Sequence, residues 1–137
     1  MRPDLYAGIV AEVPFVDVIG TVTDPRLPLT TLEYGEWGDP AVKAEYDVML
    51  SYSPYENVAP KVYPPMFVTA GLHDTQVRFH EPAKWVARLR STKTDGNPIL
   101  FLTNMAAGHS GFSGRFGFVH EQAQITAWLL SLAAKTD

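Results

Sequence analysis

The chain has 137 residues, no cysteine and a formal net charge of −4. That length holds one hydrophobic core and is too short for two domains. With 46% hydrophobic and 19% charged residues it is an ordinary globular segment rather than a disordered one. The absence of cysteine excludes disulfides, a thiol nucleophile and thiolate metal sites. An acidic balance without any basic cluster argues against nucleic-acid binding, and no run of ~18 apolar residues offers a membrane span.

In chain order, residues 1–6 read as the tail of a helix entering from an earlier segment. Residues 7–13, Ala-Gly-Ile-Val-Ala-Glu-Val, are apolar and β-branched, and they form a first strand that ends at Pro14. Residues 17–59 are irregular and rich in Pro, Tyr and acidic side chains. Within them residues 40–50 are expected to form one helix, with Asp39 as N-cap and Pro40 at its first position. Ser53-Pro-Tyr-Glu-Asn57 is a turn.

A second strand follows the Pro64-Pro65 turn signal, runs over residues 66–70 and ends at Gly71. An amphipathic helix then opens at Pro82, with Trp85, Val86 and Leu89 at helical spacing. After the polar turn 91–97 comes a third strand to Thr103, and a last helix with Phe118, Ile125, Leu129 and Leu132 on one face. Strand–helix–strand–helix order predicts consecutive parallel strands. About three parallel strands with flanking helices are expected, half of a doubly wound sheet; with the acid–histidine order of the loops that follow them, they read as the C-terminal half of an α/β-hydrolase fold.

Asp74 stands just beyond the second strand, and His109, between Gly108 and Gly111, just beyond the third. In open α/β sheets, reacting groups lie in loops past the carboxyl ends of the strands. Neighbouring strands are about 5 Å apart, so the two loops can meet. An acid followed by a histidine is the second half of a Ser…Asp…His triad on a hydrolase sheet. Spacing alone leaves the plainer alternatives open: Asp74 as a cap on the following helix, His109 as a solvated loop side chain.

No Gly-x-Ser-x-Gly occurs. Ser110 and Ser113 sit on no strand-to-helix elbow, and both are assigned to hydrogen bonding within the loop. A triad serine is therefore expected upstream of Met1. His73, Asp74 and His80 are too close in sequence to converge on an ion, so no metal or cofactor is expected. His120 is read as a surface residue, and Tyr34, Trp37, Tyr52 and Tyr55 as packing residues.

Several stretches together resemble the oligopeptidase B group of the prolyl oligopeptidase family of serine peptidases. They are Val13-Pro-Phe-Val-Asp-Val18, Leu27-Pro-Leu-Thr-Thr31, Glu36-Trp-Gly-Asp-Pro40, Ser51-Tyr-Ser-Pro-Tyr55, Gly71-Leu-His-Asp74, Glu81-Pro-Ala-Lys-Trp-Val86 and Ala107-Gly-His109, with Met1-Arg-Pro-Asp-Leu-Tyr6 at the start. The resemblance implies that residues 1–137 are the C-terminal portion of a peptidase catalytic domain, without its serine elbow and β-propeller. It implies Asp74 and His109 as catalytic acid and base, and a short peptide as substrate.

It also implies two acidic residues, one apart, that receive a basic P1 side chain. Glu33 matches the first position and Gly35 leaves the second empty, so a preference for Arg or Lys is expected to rest on one carboxylate. Glu36 would point elsewhere along an extended backbone.

The chain alone is expected to be inert. It is expected to pair with the missing N-terminal part or self-associate through the open edge of its first strand. The competing readings are a non-catalytic binding module using that edge, and a parent protein that is an esterase or acylaminoacyl-peptidase. The expected compartment is the cytoplasm, although a cysteine-free chain suits a periplasm equally.

Overall fold

The computed structural model describes residues 2–27, 29–112 and 116–134. Its centre is a parallel sheet of three strands in the order β1 (Ile9–Glu12), β2 (Met66–Gly71), β3 (Ile99–Asn104). The register pairs Ile9 with Met66 and Met66 with Ile99, so the carboxyl ends of all three strands lie on one side. β2 is central and buried on both faces, as its continuous apolar run requires.

Period-two alternation sends Met66 and Val68 to one face, against Trp85, Val86 and Leu89 of α4 (His80–Thr92). Phe67 goes to the other, against Ile125 and Trp128 of α5 (Gly117–Ala133), its ring 5.8 Å from that of Trp128. Helices thus cover both faces of the sheet, the arrangement of an α/β-hydrolase half.

The segment between β1 and β2 carries more structure than its composition suggests. α1 (Val18–Val22), a 3-10 turn (Thr30–Leu32), α2 (Tyr34–Trp37) and α3 (Lys43–Tyr52) form a small helical cap. Val18, Val22 and Met49 make its own core, with Phe15 and Ile19 beside them. Short helices of four or five residues leave no periodic signal in a sequence, which is why this region reads as irregular.

Three details correct the expected boundaries. Residues 3–5 form a 3-10 turn rather than a helix tail. α3 begins at Lys43, and the Asp39 carboxylate accepts the Ala41 N–H at 2.8 Å in a turn before it instead of capping it. On α5 the buried stripe is Ile125 and Trp128 with Leu132 half-buried, whereas Phe118 and Leu129 are 65% and 45% exposed. The helix is rotated from the expected face because Trp128 takes the place against Phe67.

One buried carboxylate joins the cap to α4. Glu81, in the first turn of α4 and 2% exposed, accepts the Val16 and Asp17 N–H groups at 2.8 Å through Oε1. The Thr21 hydroxyl donates to Oε2 at 3.0 Å. Burial pushes the Glu81 carboxyl up from its ordinary value, against the lowering effect of those hydrogen bonds. Beside it Lys84 pairs with Asp17, and Lys84 and Arg88 lie over the Tyr55 ring at 4.7 and 4.8 Å.

Candidate active site

Backbone hydrogen bonds continue the β2–β3 ladder past the strands. Leu72 N–H reaches Asn104 O at 2.9 Å and His73 N–H reaches Ala107 O at 3.0 Å. The approach is close enough to require Gly71. A Cβ there would collide with the Gly108 carbonyl oxygen and sit 2.7 Å from that of Ala107. Two loops that are 33 residues apart at their register partners (Gly71 with Asn104) are thereby zipped together at their bases.

Asp74 and His109 are brought together by that zip. His109 Nδ1 lies 2.9 Å from Asp74 Oδ2. The Asp74 side chain is fully buried, while His109 keeps 34% of its side chain exposed. Asp74 Oδ1 accepts the Gln76 and Val77 N–H groups at 2.8 and 2.9 Å. One oxygen therefore closes the turn, fixing the carboxylate, and the other orients the imidazole. The anticipated capping role is met in the turn before α4 rather than on α4 itself.

His109 borders two cavities. One, of about 260 Å³, is walled by Phe15, Val22, Trp37 and Val77 and contains Glu33. The indole Nε1–H of Trp37 donates to Glu33 Oε2 at 3.1 Å, an i,i+4 contact along the α2 turn, and Phe15 packs on Trp37 with ring centroids 5.7 Å apart. The backbone here is helical, so the extended-strand reason for setting Glu36 aside does not hold. Glu36 is exposed and is not part of the cavity wall, and open space surrounds Gly35. The other cavity, about 170 Å³, lies between the ends of β1 and β2 and α5, with Glu12, Val13, Asn104 and Glu121 on its wall. Val13 there has φ +40°, a conformation β-branched residues rarely adopt.

Ser110 is exposed on the histidine's own loop. Ser113 falls outside the described residues. His80 and His120 are exposed, and no three His, Asp or Glu side chains among the described residues gather as metal ligands. No described helix is long and apolar enough to cross a membrane.

Sequence reasoning missed Glu81 and Glu121. Each stands one turn before a buried residue of its helix, Trp85 and Ile125 respectively, Glu81 buried and Glu121 half-buried. A charge at such a position is the signal that finds them, because burial demands partners.

A sequence profile of the prolyl oligopeptidase family matches residues 1–136. The chain is 54% identical over 130 residues to dipeptidyl aminopeptidase BI of Pseudoxanthomonas mexicana, covering 95% of this chain and 18% of that protein. It is 53% identical over 130 residues to protease 2 of Moraxella lacunata, covering 95% and 19%. The solved structure of oligopeptidase B from Leishmania major superposes with a TM-score of 0.95 at 47% identity, over 100% of this chain and 19% of that one.

Proposed function

The chain belongs to the prolyl oligopeptidase family of serine peptidases, a family of hydrolases, and on that premise we propose that Asp74 and His109 are its catalytic acid and base. It spans 18–19% of the length of the relatives it matches. We read residues 1–137 as the C-terminal portion of the catalytic domain, acting with a serine carried outside them.

The observation that carries this is the bond between His109 Nδ1 and the buried carboxylate of Asp74. With Nδ1–H given to Asp74, Nε2 is the nitrogen left to act as base. It takes the serine hydroxyl proton as Oγ attacks the scissile carbonyl, and Asp74 stabilises the imidazolium that forms. The proton then passes to the leaving amine, and water reverses the sequence on the acyl-enzyme. Without a serine at Nε2 there is nothing to activate, so the 137 residues alone are inert.

The substrate is a short peptide with a basic P1 side chain. Support comes from Glu33 in the cavity that also borders His109. Trp37 holds one oxygen of this carboxylate and leaves the other for a guanidinium or ammonium. With Gly35 in place of a second acid, Glu33 carries the recognition alone. A second reading is supported by the relative named dipeptidyl aminopeptidase BI: removal of dipeptides from a free amino terminus.

β1 and β3 are the two edges of the described sheet, and Phe118, Leu129 and Leu130 of α5 are exposed apolar side chains. The rest of the catalytic domain, or a second copy, is the occupant we assign to the β1 edge and to the apolar face of α5.

The test begins with the coding sequence upstream of Met1, which should carry a Gly-x-Ser-x-Gly elbow in frame. The longer protein should hydrolyse arginyl amides and lose that activity with Asp74→Ala or His109→Ala. Glu33→Gln should lower kcat/KM for Arg substrates by roughly 30-fold or more, the lower end of what an unpaired buried charge costs, and leave neutral esters alone. An unchanged Arg-to-neutral ratio would sink the cavity assignment. Acetylating the substrate's amino terminus separates the two readings, since only release of dipeptides requires it free.

A further inference from the structure

The geometry points to Glu121 as a positioning residue for His109, its carboxylate tying together the chain on either side of the histidine. This rests on the reading of His109 as the base. The loop leaves β3 at Asn104, which is buried. Asn104 Nδ2 donates to Glu121 Oε1 at 3.0 Å, and beyond His109 the Phe112 N–H donates to Glu121 Oε2 at 3.3 Å. Asn104 Oδ1 accepts the Ala106 N–H at 3.1 Å, which starts the loop's first bend. His109 sits in the turn closed by Gly111 N–H to Gly108 O at 3.4 Å.

The carboxylate also shapes that turn. Gly111 has φ +78°, and a Cβ there would collide with Glu121 Oε2 and stand 3.2 Å from its Cδ. The loop is folded around this side chain. An acid near the start of a helix is often explained by the helix dipole, but here both oxygens are engaged by the loop. Two donors facing two oxygens need a carboxylate; an amide would turn its NH₂ group towards one of them. Where the carboxylate stands is set by Ile125 and Trp128, buried against Phe67. The docking of α5 on the sheet is thus transmitted to the histidine.

The His109 Nδ1–H shared with Asp74 supplies a readout that does not depend on turnover: its downfield imidazole resonance in ¹H–¹⁵N spectra of the longer protein that carries these residues. Asp74→Asn should remove or strongly shift it. Glu121→Ala should remove it or speed its solvent exchange about tenfold, the factor that one ordinary hydrogen bond allows, while far-UV circular dichroism stays native. Glu121→Gln, keeping one acceptor, should fall between. A resonance lost in Asp74→Asn but unchanged in Glu121→Ala overturns the inference and leaves the acid–base pair standing. One that survives Asp74→Asn removes the pair and the inference with it. Should Glu121→Ala unfold the chain, Glu121→Gln decides: native exchange at His109 in that variant overturns the proposal.

Discussion

The two walls of the candidate site are held in different ways. Asp74 and His109 extend a parallel ladder: register, two further backbone bonds, a glycine contact and the side-chain bond all point to one geometry. Glu33 belongs to the helical cap, which is tied to α4 through Glu81, with Lys84–Asp17 and Tyr55 beside it, and whose flanking Val16 and Val58 enter the sheet core. The Asp74–His109 pair is therefore held redundantly, and the wall that carries Glu33 is held by polar contacts centred on one buried carboxylate.

The largest effect is expected from cutting the anchor. Glu81→Ala leaves two backbone N–H groups and a hydroxyl without an acceptor, at ~1–3 kcal/mol each for the buried ones. A loss of about 3 kcal/mol or more should appear in the urea midpoint, and protease cleavage should concentrate in residues 14–59. A midpoint within error of wild type would mean that the cap is held elsewhere. Burial raises the Glu81 pKa, so its share of stability is complete below the unfolded value and declines as pH rises through the folded one. Glu81→Gln should flatten the stability profile in that window.

Next in size is Gly71→Ala. The added Cβ meets backbone oxygens that cannot swing aside, and overpacking of this kind costs ~1–3 kcal/mol. The His109–Asp74 bond should be lost even where the sheet survives, which NMR of the imidazole would show. Retention of that bond would mean the zip is softer than its geometry implies.

A smaller effect is confined to acid. Asp95 accepts the Tyr63 and Asn97 N–H groups at 2.9 and 2.8 Å. Lys93 beside it holds its carboxyl down to about 2. A depressed pKa gives stability that is present above the ordinary value of about 3.9 and lost as pH falls towards about 2. Asp95→Asn should flatten the acid limb of a stability-versus-pH titration and leave the Glu81 window untouched. An unaltered acid limb would contradict the assignment.

The smallest effect sharpens the contrast. Glu33→Gln should change folding stability by no more than about 0.5 kcal/mol, since Glu33 is only half-buried and its one side-chain hydrogen bond is to an exposed Trp37. A drop comparable to that of Glu81→Ala, measured in the same urea titration, would make Glu33 a structural residue.

The strands, α4 and the loops of Asp74 and His109 were legible because each depends on local pattern: apolar runs between turn signals, a helical stripe, glycines at close approaches. The family resemblance was equally legible, since its motifs span the chain in order. α1 and α2 were not, because a one-turn helix is selected by what it packs on, here Met49 and Phe15, and not by its own period. The rotation of α5 was hidden for a similar reason. Phe118 and Leu129 fit the helical spacing as well as Trp128 does, and only the sheet's surface chooses among them.

By itself, then, the sequence determined the order of strands and helices and the two side chains that hang from consecutive strand ends. Those follow from interactions within a few residues and from the two-residue period of a strand. The tertiary structure alone decided that Glu81 anchors the cap, that Glu121 spans the histidine loop, and that Glu33 shares a cavity with His109. These join residues 64, 17 and 76 positions apart, respectively. A carboxylate drawn wholly or partly out of water must find its donors wherever packing brings them, and no local pattern records where that is.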